Sequence, residues 1–117
     1  MDTRTLVESY HNAWTNGDFA AARGFLADDL DFRGSISTFR NADDFIEVLT
    51  RFKAILHGVT MLRSFFDDKG AALLYDCETV TPAGVIRTAE FFTVSENRIK
   101  EIRLVFDATE LRKAMPA

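Results

Sequence analysis

The sequence predicts an α+β fold, a conical half-open barrel. Three N-terminal helices pack on the concave face of a curved, mixed but mainly antiparallel sheet, with a short C-terminal helix. Three observations predict it. Residues 73–106 divide into three runs rich in Val, Ile, Thr and Phe, separated by the turn signals Val80-Thr81-Pro82-Ala83-Gly84 and Ser95-Glu96-Asn97. The first half of the chain instead carries apolar residues at helical spacing. With 117 residues, the chain suits one domain around one core, so residues 1–117 are read as a single domain.

The chain opens with a helix over 3–16, in which Leu6, Val7, Tyr10, Ala13 and Trp14 form one apolar stripe. Asn16-Gly17 stops it, with Gly17 left-handed, and Asp18 caps a second helix over 19–26 that Asp28 and Asp29 end. A short strand over 30–33 places Leu30 and Phe32 on one side, and 34–38 is a small-residue loop at the barrel mouth. Asn41 caps a third helix with Asp43 and Asp44 in its first turn; Phe45, Ile46, Leu49, Phe52 and Leu56 are its buried face, and His57-Gly58 breaks it. A strand over 59–66 turns through Asp67-Asp68-Lys69-Gly70 into the three central strands. Asp107 caps a last helix over 108–114, ended before Pro116.

A four-residue loop over 81–84 places Val80 opposite Val85, Glu78 opposite Arg87, Asp76 opposite Ala89 and Tyr75 opposite Glu90. A three-residue loop over 95–97, with Asn97 left-handed, places Glu90 opposite Ile102, Ala89 opposite Arg103 and Thr88 opposite Leu104. One face then carries Leu73, Tyr75, Cys77, Thr88, Phe92, Ile102, Leu104 and Phe106, with Glu90 as its one acid. The other mixes Asp76, Glu78, Arg87, Glu101 and Arg103 with Leu74, Ala89, Phe91 and Val105, and Asp76 lies within reach of Arg103. Large apolar groups there need cover, so a homodimer through this outer face is expected. A second turn shorter by one residue would instead seat Glu90 beside Arg103 as a surface pair.

Composition narrows the function. A formal net charge of −4 without a basic stripe argues against nucleic acid or an anionic membrane as partner. No apolar run reaches spanning length and the N-terminus has no signal pattern; with Cys77 the one cysteine, a reducing cytoplasmic setting is expected. His11 and His57 are far apart and read as surface or helix-end residues, so no metal is expected. Phosphate loops, nucleophile elbows and redox pairs are missing, and no cofactor is expected. Eleven Phe residues supply a large apolar payload.

Tyr10, Trp14, Asn16-Gly17-Asp18, 25–29 (Phe-Leu-Ala-Asp-Asp), Phe32, Asn97-Arg98-Ile99 and Val105-Phe106-Asp107 together resemble the SnoaL-like branch of the nuclear-transport-factor-2-like superfamily. That superfamily includes ketosteroid isomerase and limonene-epoxide hydrolase, on a fold that also hosts binders and interaction modules. The resemblance places Tyr10 where ketosteroid isomerase keeps the phenol of its oxyanion hole, and Glu90 where it keeps a neutral carboxylic acid. It also places Gly34 or Arg33 where that enzyme has its general base, and Leu104 where the epoxide hydrolase has its second Asp. The expected site is therefore an unknown small apolar ligand held by Trp14, Phe32, Phe52, Tyr75, Thr88, Phe92, Ile102, Leu104 and Phe106, with Glu90 and Tyr10 as candidate acid–base groups. An isomerase, dehydratase or hydrolase-type enzyme, a non-catalytic binder and a dimeric interaction module with a filled pocket all fit that pattern.

Overall fold

A computed structural model of the chain describes residues 1–114. Helices α1 (Thr3–Thr15), α2 (Phe19–Gly24) and α3 (Ala42–Lys53) cover one face of a six-stranded sheet. Its strands are β1 (Leu26–Arg33), β2 (Thr38–Phe39), β3 (Leu56–Phe66), β4 (Gly70–Thr79), β5 (Val85–Ser95) and β6 (Arg98–Phe106), followed by α4 (Thr109–Ala114). The strand order is β2-β1-β6-β5-β4-β3, antiparallel except where β1 and β6 run parallel.

Local chemistry explains the helix ends. Asp2, Asp18 and Asn41 each accept a backbone N–H of the helix that follows, satisfying donors that have no partner within the helix. After α1 the chain reverses at Gly17, whose φ of +82° suits a residue without a Cβ. Leu6, Val7, Tyr10 and Trp14 of α1 and Phe45 and Leu49 of α3 meet Leu73, Tyr75, Phe92 and Ile102 of the sheet in one core.

The structure corrects several boundaries. Helix α2 ends at Gly24 rather than 26, and β1 starts at Leu26 rather than 30, because the Ile99 N–H donates to the Phe25 carbonyl and Leu26 pairs with Ile99. Asp28 and Asp29, expected to stop a helix, are exposed residues of that strand. Thr38 and Phe39, expected in or beside a loop, form β2 against Arg33 and Phe32. β3 starts at Leu56 and runs through His57-Gly58 with a register shift there, instead of a break. Pro116 lies outside the described residues.

Both central registers also differ. Glu78 lies opposite Val85, Asp76 opposite Arg87 and Tyr75 opposite Thr88, two positions from expectation. Thr79 ends β4 by donating its N–H and hydroxyl to the Gly84 carbonyl, which holds Val80 outside the ladder. A slip of two preserves which side chains share a face. The second turn has two residues, Glu96 and Asn97, both with positive φ, so the expected three-residue loop is one residue too long. By itself this shorter turn would set Glu90 opposite Arg103. The ladder then shifts between Thr93–Glu101 and Val94–Ile99, leaving Lys100 as the extra residue of a bulge. Beyond it Glu90 lies opposite Leu104, Ala89 opposite Val105 and Thr88 opposite Phe106, in place of the expected Ile102, Arg103 and Leu104.

On the outer face Asp76 pairs bidentately with Arg87, at 2.9 and 3.0 Å, rather than with Arg103. The parallel β1–β6 crossing brings Arg103 to Asp31 instead, through the Asp31 carbonyl at 2.9 Å.

Candidate functional site

Glu90 is 3% exposed, inside the apolar layer between helices and sheet. Strand β5 places it between Leu73 on β4 and Leu104 on β6, with Tyr75 on the diagonal rather than directly opposite as expected. The Tyr75 hydroxyl donates to Glu90 Oε1 at 2.8 Å. Burial pushes the Glu90 carboxyl up to about 7, against the Tyr75 hydrogen bond, which favours the charged form. Tyr10 is fully buried, and desolvation followed by the charge of Glu90 raises its phenol well above 10. Its ring meets Phe92 edge-on at 6.0 Å.

Tyr10 Oη, His11 Nδ1 and Trp14 Nε1 are buried side-chain atoms with no hydrogen-bond partner among the described residues. Buried polar atoms usually have partners, so this turn of α1 is under-satisfied beside a buried carboxyl. His11 is 7% exposed, a correction to its expected surface position. It follows Val7 by four residues and so shares the buried stripe, where its ring packs on Tyr75 at 5.0 Å and Trp14 at 5.6 Å. Burial lowers its imidazole to about 4, keeping it neutral near pH 7. His57 is exposed.

Next to this cluster lies a cavity of about 130 Å³ lined by Phe32, Gly34, Ser35, Ile36, Ser37, Phe39, Phe45, Val48, Leu49, Phe52, Leu104 and Phe106. The Phe32 and Phe45 rings stack at 4.5 Å, and Phe39 tilts against both. Of the residues expected to hold a ligand, Phe32, Phe52, Leu104 and Phe106 line this cavity, whereas Trp14, Tyr75, Thr88, Phe92 and Ile102 lie in the buried layer outside its lining. Phe39, Val48 and the loop 34–37 join the wall without having been named as ligand contacts. Phe45 and Leu49 were legible only as the buried side of a helix. Leu104 joins the two regions, as a cavity wall and the cross-strand neighbour of Glu90. Arg33, one of the two residues that the resemblance placed at the isomerase base, carries a side chain 62% exposed beside Asp31. Among the described residues no three His, Cys, Asp or Glu side chains gather as a metal site.

The profile of the SnoaL-like domain matches residues 7–102. The chain belongs to the SnoaL-like domain family. This SnoaL-like domain is similar to a protein from Kribbella flavida DSM 17836, with 34% identity, 94% of this chain and 90% of that one covered, and a TM-score of 0.88. It shares its fold with an NTF2-like protein from Cytophaga hutchinsonii ATCC 33406, at 18% identity, 95% coverage of both chains and a TM-score of 0.81. The same holds for an LEH-like epoxide hydrolase from M. tuberculosis, at 23% identity, 93% and 85% coverage and a TM-score of 0.74. No curated protein matches the sequence. Among the described residues no helix is long and apolar enough to cross a membrane.

Proposed function

We propose that this SnoaL-like domain binds a small, largely apolar carbonyl or hydroxyl compound and acts on it by acid–base chemistry, as an isomerase, dehydratase or hydrolase does. The observation that carries this reading is Glu90: a carboxyl in an apolar layer, held near 7, bonded to Tyr75 and adjoining a cavity wall. A carboxyl with that pKa takes up or gives a proton near neutral pH, as general acid–base work requires. Tyr75 orients it, and Tyr10, whose hydroxyl has no partner among the described residues, is the candidate second donor to a substrate oxygen. With Arg33 turned outward and Gly34 lacking a side chain, the mechanism is a one-carboxyl one, distinct from that of ketosteroid isomerase.

Turnover of a panel of hydrophobic enones, hydroxy compounds and epoxides tests it. We expect kcat/KM for an accepted substrate to change around pH 7 and to fall at least about a hundredfold in Glu90→Gln, the usual scale of a lost acid–base group. A second reading, non-catalytic binding, is favoured by the burial of Glu90 outside the cavity lining. Native mass spectrometry that finds a bound apolar compound, without turnover of the panel, selects it. In either case we propose a homodimer through the outer sheet face, working in the cytoplasm, where a thiol such as Cys77 stays reduced.

A further inference from the structure

The β1–β2 connection is a four-residue tip, Gly34 to Ser37, closed by the Gly34 N–H donating to the Ser37 carbonyl at 2.8 Å. All four residues line the phenylalanine cavity, and Ile36, 46% exposed, sits where its wall meets solvent. Behind the tip, β2 has only two residues, at the edge of the sheet. Gly34 lets the tip lie close over the Phe32 ring, since a Cβ there would come within 3.0 Å of Phe32 Cε1. Among the described residues two bonds tie the tip to the C-terminal segment, and both converge on Ser35. The Phe106 N–H donates to Ser35 Oγ at 3.0 Å, and Arg112 Nη2 of α4 donates to the Ser35 carbonyl at 2.8 Å.

We propose that the 34–37 tip is a lid over the phenylalanine cavity and that α4 is its latch, with Arg112 holding Ser35. The proposal rests on the reading of that cavity as the ligand site. An apolar cavity whose wall is one short hairpin tip opens most easily by lifting that tip. The other walls include Leu49 and Phe52 of α3, which pack in the core, and Leu104 and Phe106 of β6, which belong to the sheet. Lifting the tip breaks two hydrogen bonds and the two-residue β1–β2 pairing while leaving the other five strands paired. Arg112 brings a charged donor to a backbone carbonyl, the stronger kind of hydrogen bond, from a short helix in which Thr109, Glu110, Arg112 and Lys113 are exposed.

Thiol labelling tests the latch without any ligand. A reporter cysteine is placed on the cavity wall as Leu49→Cys, or as Phe52→Cys should the first not fold, and its reaction with a disulfide reagent is timed. Cys77, buried and with its thiol pushed up to about 12, reports global opening in the same experiment. Adding Arg112→Ala is expected to speed reporter labelling on the order of tenfold, the scale of one charge-assisted hydrogen bond, while Cys77 labelling is unchanged. Lys113→Ala, on the same helix but bonded among the described residues to Glu110 alone, is expected to change neither rate. An unchanged reporter rate in Arg112→Ala overturns the latch, as does equal acceleration of reporter and Cys77. Binding of an anilinonaphthalene sulfonate dye, followed on the same proteins, separates this from the reading it rests on. Faster labelling with no dye in the cavity keeps the lid and removes the ligand site; dye binding with unchanged labelling does the reverse.

Discussion

Burial acts on Glu90 and His11 with opposite consequences for stability. Glu90 moves from 4.5 to about 7 on folding, so between those values the folded chain holds a proton that the unfolded chain has lost. That contribution is complete below pH 4.5 and disappears as pH rises through 7. His11 moves from 6.5 to about 4, so the unfolded chain takes up the extra proton between those values, and stability rises with pH across that window. Each shift corresponds to about 3 kcal/mol at ~1.4 kcal/mol per unit, so the two largely offset one another between about pH 4.5 and 6.5. Glu90→Gln removes one side of this balance. Relative to the parent, the variant is expected to gain about 3 kcal/mol on going from pH 4.5 to pH 8, read by urea titrations at both ends. A pH-independent difference between the two proteins would mean that Glu90 titrates normally and is solvated. Tyr75→Phe deletes the donor that favours the charged carboxyl. It is expected to cost about 1–3 kcal/mol at pH 8 and to raise the Glu90 titration further, followed by NMR of the carboxyl carbon.

At the level of elements, the facing of Glu90 depends on one bulge. The two-residue turn and the extra Lys100 each change strand parity by one, and together they restore it. Deleting Lys100 removes the bulge and joins Val94–Ile99 and Thr93–Glu101 into one regular ladder, so Glu90 stays opposite Leu104 and the Ile102–Leu104–Phe106 row stays inside. We expect the cooperative transition and the near-ultraviolet dichroism to be retained, at a cost of no more than about 3 kcal/mol. Loss of the near-ultraviolet dichroism in the deletion would show that the bulge does more than absorb one residue between paired strands. The same parity explains how much was legible beforehand. Alternation along β4, β5 and β6 assigned every named side chain to the correct face, although both hairpins differ from expectation, because the net slip at each was two residues. Pairwise statements survived less well. Tyr75 opposite Glu90 and Asp76 with Arg103 both failed, since they depend on turn length and on the β1–β6 crossing, neither of which has a local signature. β2 was too short to show a period. His11 was hidden by its polarity, though its spacing from Val7 put it on the buried side. The cavity was half legible: its phenylalanines read as core, and what separates core from wall is the path of the 34–37 tip.

For the whole molecule, the outer sheet face poses the remaining question. Phe65, Ala72 and Phe91 form a continuous cross-strand row ending at Arg103, and the adjacent row is Arg63, Leu74, Ala89 and Val105. Phe65, Phe91 and Val105 are 64%, 49% and 57% exposed, and Phe65, Ala72 and Phe91 border a shallow hollow of about 450 Å³. Ion pairs of Asp76 with Arg87 and of Arg103 with Asp31 flank these rows. An apolar centre with a charged border is the pattern of a surface that is covered in use, and in the proposed homodimer a second copy would supply the same residues in return across a two-fold axis. Sedimentation velocity at micromolar concentration is therefore expected to give the dimer mass. Phe91→Lys is expected to give the monomer mass with the near-ultraviolet spectrum retained, because Phe91 faces away from the core that Phe92 enters. A native protein that sediments as a monomer would leave these rows in contact with water. The aromatic row would then have to be explained by cross-strand packing within one copy, and Phe91→Lys should lower Tm rather than change mass.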